Sequence, residues 1–399
     1  MSHIAGFVVF RLPHRPGTVR PSAGFQARVG RVALAAGLLF ASPLTVSSSE
    51  HASGLTIKSS VAEIFDDNVT FAESQAKTDL ISLLSLGLGL KTEGRLGEAS
   101  LGADIRQRLF ATHSDFNNTE EDVRLDWRGE LSKHDRLGIK NSFVHASEPR
   151  SFEDAFGQTN GRYSYSRNRF NLAYTRDVAK QLSISGTYSN ESYDVSRDGL
   201  RDSWQHQAIT QADWALGAMT IARGRYAFSR RSFDPGGNAT RQTTAAGIQQ
   251  YLTSHLYAEA MAGVSFISAF DAAEVVKPAF LASLTHDVDE RTKSSLSFTK
   301  EAATTSATAG LFSSWRVSGD LRRQLSRRLN GDGAVFYGQG SYGTLNIDDR
   351  LTGANVGLAY ELRPDMTGRV SYTFSRLASN LHSREYEKNV VLVSVDAEF

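Results

Sequence analysis

From Leu55 to Phe399 the chain alternates apolar and polar residues with a period of two. In the last stretch, Val391, Val393, Val395, Ala397 and Phe399 fall on one face. Lys388, Ser394, Asp396 and Glu398 fall on the other, with Val390 and Leu392 as apolar exceptions. Earlier, Ala99, Leu101, Ala103, Ile105 and Leu109 alternate with Ser100, Asp104, Arg106 and Arg108. Val123, Leu125, Trp127 and Leu131 alternate with Arg124, Asp126, Arg128 and Glu130. Such spacing belongs to strands wet on one side and apolar on the other. The pattern predicts eighteen strands, from 55–67 to 387–399, with sixteen as the alternative count. No stretch of this body has a helical period.

The connections decide between a sandwich and a barrel. Longer polar segments such as VTFAESQAKT, HSDFNN with TEEDV, and SEPRSFEDAFGQTN alternate with tight ones such as TEGRLG, SKHDR and DVAKQ. Long–short alternation around an up-and-down meander is the habit of a transmembrane antiparallel β-barrel, with short turns periplasmic and long loops outside. The charged faces also exclude a dry sandwich core, because only a water-filled lumen tolerates them cheaply. Trp204 and Trp214 share a face with Ala208 and Ala212. Ten tilted strand residues rise roughly 25 Å, the separation of two interfacial aromatic girdles. Arg230 and Pro278 fit the alternation badly, and the strands predicted at 161–175 and 330–340 are expected to contain bulges.

The 399 residues carry a net charge of +1, which gives no electrostatic reason to expect nucleic acid. With no cysteine, disulfides and thiolate metal sites are excluded. Arg28 and Arg31 precede an apolar core, Val32 to Val46, followed by Ser47, Ser48 and Ser49. This reads as an export signal over residues 1–48, cleaved after Ser48, with the barrel over 49–399. Between that site and the first strand the few residues leave no room for a plug domain.

A final amphipathic strand ending in Phe399 resembles the terminal strand of bacterial outer-membrane barrels, where it is read by the assembly machinery. IFDDNVTF, Ile64 to Phe71, and the Leu- and Gly-rich LLSLGLGLK resemble the β-barrel porin 2 type of outer-membrane porin, often encoded among exopolysaccharide or capsule genes. That resemblance implies a channel or export role in the outer membrane of a Gram-negative bacterium, in contact with lipid. Asp66, Asp67 and Asn68 themselves read as an Asx turn at a strand end.

Function is expected in the lumen. Inward candidates are Arg106, Arg108, Arg124, Arg128, Arg223, Arg225, Arg316, Arg322 and Arg369, with Asp104, Asp126, Glu130, Asp213 and Asp320. An arginine excess there favours small anionic solutes or an acidic polysaccharide. The loop at 147–160, with Glu148, Arg150, Glu153 and Asp154, is expected to fold inward as a constriction. The first reading is therefore a passive channel. A non-conducting adaptor barrel competes with it, and a barrel hydrolase is a distant third. His145 and Ser147 share a strand face but stand about 6–7 Å apart, too far for a nucleophile–base pair. His286 and Asp287 fall at a short turn. No catalytic residue, cofactor or metal ligand set is expected.

Overall fold

The computed structural model describes residues 52–158, 161–197, 199–269, 274–305, 311–343 and 345–399. The export signal expected at 1–48 lies outside them. Eighteen strands form one antiparallel sheet, each paired to its neighbour in sequence, and β1 (Ala52–Asp66) also pairs with β18 (Tyr386–Glu398). The sheet is thus a closed barrel. Closure leaves neither first nor last strand with a free edge, the condition for crossing hydrocarbon with strands. Among the described residues no helix is long and apolar enough to cross a membrane.

The period-two pattern becomes two walls. On β2 (Asp79–Gly94), Leu80, Leu84, Leu86, Leu88 and Leu90 are exposed on the outside. Ser85, Gly87 and Gly89 occupy the inner positions between them. Trp204 and Trp214 on β8 (Asp202–Ala215) are 63% and 57% exposed on that same outer surface, and Phe399 is 69% exposed at the end of the chain. An outer surface this apolar is unstable in water and at home in lipid.

IFDDN fastens the seam between the first strand and the last. Asp67 accepts from the Asn389 backbone and side-chain nitrogens, both at 2.7 Å. Asn68 donates to the Glu387 carbonyl at 2.8 Å and to Ala72 at 2.7 Å. The Asx turn is present as well, with Asn68 N donating to Asp66 Oδ1 at 3.0 Å. Short polar side chains suit this role because they replace backbone partners where the ladder ends.

Register departs from regularity at Asp177/Ala179, Asp287/Asp289 and Glu361/Arg363, each beside a short turn. The bulge expected within 330–340 is absent: β15 (Leu329–Tyr342) pairs without interruption on both sides. β6 is Tyr165–Ala179, starting four residues later than the 161–175 expected. Pro278 marks a real break. It pairs with Val264 of β11 (Leu256–Ala269), while pairing of β12 (Val275–Asp289) with β13 (Thr292–Thr304) begins only at Phe280 and Lys300. Proline has no N–H to give a neighbour. Guanidinium groups supply donors to β13 instead: Arg241 reaches the Ala302 carbonyl and Arg231 the Thr304 carbonyl, both at 2.9 Å. Arg230 faces outward, opposite His206 and Thr240.

Candidate functional site

The described part of the segment that follows β5 (Asp135–Ala146) and leads towards β6, residues 147–158, enters the lumen and crosses it. Its middle is one short helix, α1 (Phe152–Ala155), capped by Ser151, whose Oγ accepts from Asp154 N at 3.0 Å. Beyond α1, Phe156 packs edge-on against Phe312 of β14 (Leu311–Gln324) at 5.1 Å and Phe336 of β15 at 5.6 Å. Phe152 lies 6.0 Å from Phe336. β14 and β15 stand half-way round the ring from β5 and β6. The loop therefore bridges opposite walls rather than lining one.

The far wall is shaped to receive it. Phe336, Gly338, Gly340 and Tyr342 alternate onto the inner face of β15. A Cβ at Gly338 would lie 2.8 Å from the Phe156 ring, and one at Gly353 on β16 (Ile347–Arg363) 2.6 Å from the Phe152 ring. Neither distance is sterically tolerable, so the missing side chains are what admits the two rings. Phe156, Phe312, Phe336, Tyr342, Leu351, Leu377 and Tyr386 make one buried cluster. A core of this kind holds a loop by apolar burial, at about 1.5–3 kcal/mol for each large side chain fully covered.

The near end is held by charge. Glu148 pairs with Arg162, with Lys388 at 3.2 Å and with Arg108 at 3.9 Å. Lys388 also meets Asp66 at 2.8 Å. Burial alone would raise the Glu148 carboxyl, but Lys388, Arg162 and Arg108 hold it down to about 2. Arg150 pairs with Asp122 and lies 3.8 Å from Glu120. Arg162 donates to the Val69 carbonyl at 2.8 Å, joining this network to the first long loop. Asp154 meets Arg167 at 2.9 Å, and Arg384 donates to the Gln158 carbonyl at 3.0 Å. Glu153 lines a cavity of about 150 Å³ together with Asp154, Arg167, Arg169, Glu191 and Arg231. On the other side lies a cavity of about 840 Å³ that reaches the short turn Pro364–Asp365. Lys58, Asp104, Arg106, Arg108, Arg369 and Asp396 line it.

Most of the inward arginines named above have carboxylate partners. Arg106 is 3.8 Å and Arg108 2.8 Å from Glu120, and Arg124 is 2.6 Å from Asp122. Arg128 meets Asp126 at 3.1 Å. Arg223 lies 2.7 Å from both Asp213 and Glu259. Arg316 meets Glu301 at 2.8 Å, and Arg369 meets Asp332 at 2.6 Å. Arg225 and Arg322 alternate onto the same face but have no ion-pair partner among the described residues. Glu130 and Asp320 lie near the short-turn ends of β4 (Asn118–Glu130) and β14, where the Ser295 hydroxyl donates to Asp320 at 3.4 Å. The arginine excess expected from sequence is therefore largely neutralised. Glu120 and Asp122, which read as loop, are buried strand residues of β4.

His145 has other partners than Ser147. Its Nδ1 lies 3.0 Å from Ser166 Oγ and its Nε2 3.3 Å from Ser164 Oγ. His286 and Asp287 lie on β12 close to a short turn.

With that geometry, the class is a porin-like β-barrel whose lumen is narrowed from within. Residues 56–399 match the model of the family described as Putative beta-barrel porin 2, and the chain belongs to that family. No functionally curated protein matches the chain. Among solved structures it is similar to OpdK of Pseudomonas aeruginosa crystallised with vanillate, with a TM-score of 0.47 and 11% identity over 86% of this chain and 99% of that one. It is similar to OccK5 (OpdH) of the same organism, with a TM-score of 0.48 and 10% identity over 87% and 98%. OccAB3 of Acinetobacter baumannii gives 0.46 and 10% over 87% and 99%. Likeness at this level bears on neither solute nor site.

Proposed function

We propose that the protein is an outer-membrane channel of a Gram-negative bacterium for the passive diffusion of small polar solutes. The observation that carries this is the loop seated across the lumen, tethered by charge at one wall and by two phenylalanines at the other. Eighteen bare strands enclose an aqueous pore. A crossing loop leaves only side passages, and that favours single small molecules over a polysaccharide chain, acidic or neutral. Because so many inward arginines are paired, preference for anions is weak and rests on Arg225 and Arg322. In this reading the short turns face the periplasm, the apolar outer wall contacts lipid, and Phe399 with its strand is the element met by the assembly machinery.

Liposome swelling with purified protein tests the proposal. A monosaccharide should enter at a rate proportional to protein added, while a tetrasaccharide should be excluded. Folded barrels that admit neither solute would overturn the channel and leave the adaptor reading in its place.

A further inference from the structure

At the long-loop end, Glu73 of the first loop meets His382 and Glu385 of the turn between β17 (Met366–Ser379) and β18. We propose that these three side chains bind a transition-metal dication, with Zn²⁺ as the reference ion. His382 Nδ1 lies 3.2 Å from Glu385 Oε2 and 3.9 Å from Glu73 Oε1. One ligand atom from each residue falls within 4.8 Å of the others. Bonds of about 2.0–2.1 Å at tetrahedral angles put neighbouring ligand atoms about 3.3–3.4 Å apart. The His382–Glu385 edge already has nearly that length, and rotation of exposed side chains closes the others.

Three further features point to a cation. The turn His382–Arg384 is 3₁₀, so residues three apart eclipse and His382 and Glu385 point the same way. Arg384, between them, turns inward to Asp349 at 2.5 Å and takes its charge away from the cluster. Among the described residues Glu73 and Glu385 have no lysine or arginine ion-pair partner, only His382. Two carboxylates are thus held together against a single imidazole. A proton on that imidazole is one remedy. A dication is the stronger remedy, because it takes the same nitrogen lone pair and neutralises both acids. Glu385 is also oriented from behind, its Oε1 accepting from Ser379 N at 3.2 Å. One imidazole with two carboxylates suits Zn²⁺ better than Ca²⁺ or Mg²⁺, which take oxygen ligands. The bound ion joins the first and last long loops directly over the seam fastened by Asp67 and Asn389.

The test uses the full barrel, without a histidine tag, in detergent. Zn²⁺ titrated calorimetrically should bind at one equivalent, and Co²⁺ in its place should give the visible absorption of a tetrahedral site. His382→Ala and Glu73→Gln should each weaken Zn²⁺ binding by about tenfold or more and abolish the Co²⁺ bands. Both side chains are exposed, so the variants should keep the heat-modifiable gel mobility of a folded barrel. Equal Zn²⁺ affinity in wild type and His382→Ala, or no uptake by wild type, would overturn the site.

Discussion

Replacing Phe152 and Phe156 together with alanine should raise single-channel conductance by about twofold or more, because current follows the open cross-section at the narrowest point. The two rings are the only aromatic side chains that α1 and its C-terminal neighbour present to the far wall, and the wall has given up side chains at Gly338 and Gly353 to seat them. Without them the loop keeps its charged tether at Glu148 and Arg150 but loses its apolar one. Open-channel noise should rise as well, since a loop without its apolar seat samples more positions. Conversely, Gly338→Leu should dislodge Phe156 from its seat and give a similar increase without touching the loop. Planar-bilayer recordings of all three proteins check this. Unchanged conductance in the double variant would mean that the loop stays seated through charge alone.

Lys388→Met should have the largest effect on stability. Lys388 is buried, stands between Asp66 and Glu148, and lies 3.9 Å from the centre of the Phe71 ring. Removing one partner of a buried ion pair costs about 3–5 kcal/mol, because the remaining charge stays in the dry site. The variant should convert to the unfolded gel form at a clearly lower temperature. It should also become more sensitive to acid. Glu148 in the folded protein titrates at about 2, below the ordinary 4.5. Its contribution is therefore complete above about pH 4.5 and is lost as pH falls through about 2. Without Lys388 that loss should begin at higher pH. Bilayer conductance recorded between pH 3 and 7 should stay flat for wild type and rise at the acid end for Lys388→Met. Coincident melting curves and pH profiles would contradict the charged tether.

Strand number and orientation were legible because period two repeats through the whole body and every inner face carries charge. Arg106, Arg108, Arg124 and Arg128 fell on the polar face in the sequence as they do in the barrel. What local pattern could not reveal was their partners. Glu120 and Asp122 sit in an acidic run that reads as loop, yet register sets them beside Arg106, Arg108 and Arg124 on the inner wall. Lys388 meets Glu148 across 240 residues of sequence, and no periodicity links two positions so far apart. The receiving wall did leave a trace. Phe336, Gly338, Gly340 and Tyr342 put aromatic and missing side chains alternately on one face, which a solvated wall does not require. β6 starts later than expected because Tyr163 belongs to the loop while continuing the strand-like alternation with Tyr165. IFDDN read as a turn and is one, but its larger task of holding Asn389 and Glu387 needs the last strand beside the first.

Residues 147–158 narrow an otherwise open eighteen-strand lumen. Deleting 150–158 and comparing the conductance with wild type in the same planar bilayers and the same salt tests this narrowing. Wild type should show small, stepwise, ohmic currents, and the deletion variant currents several times larger. A folded deletion variant that conducts no more than wild type, or a barrel silent in both forms, would contradict it.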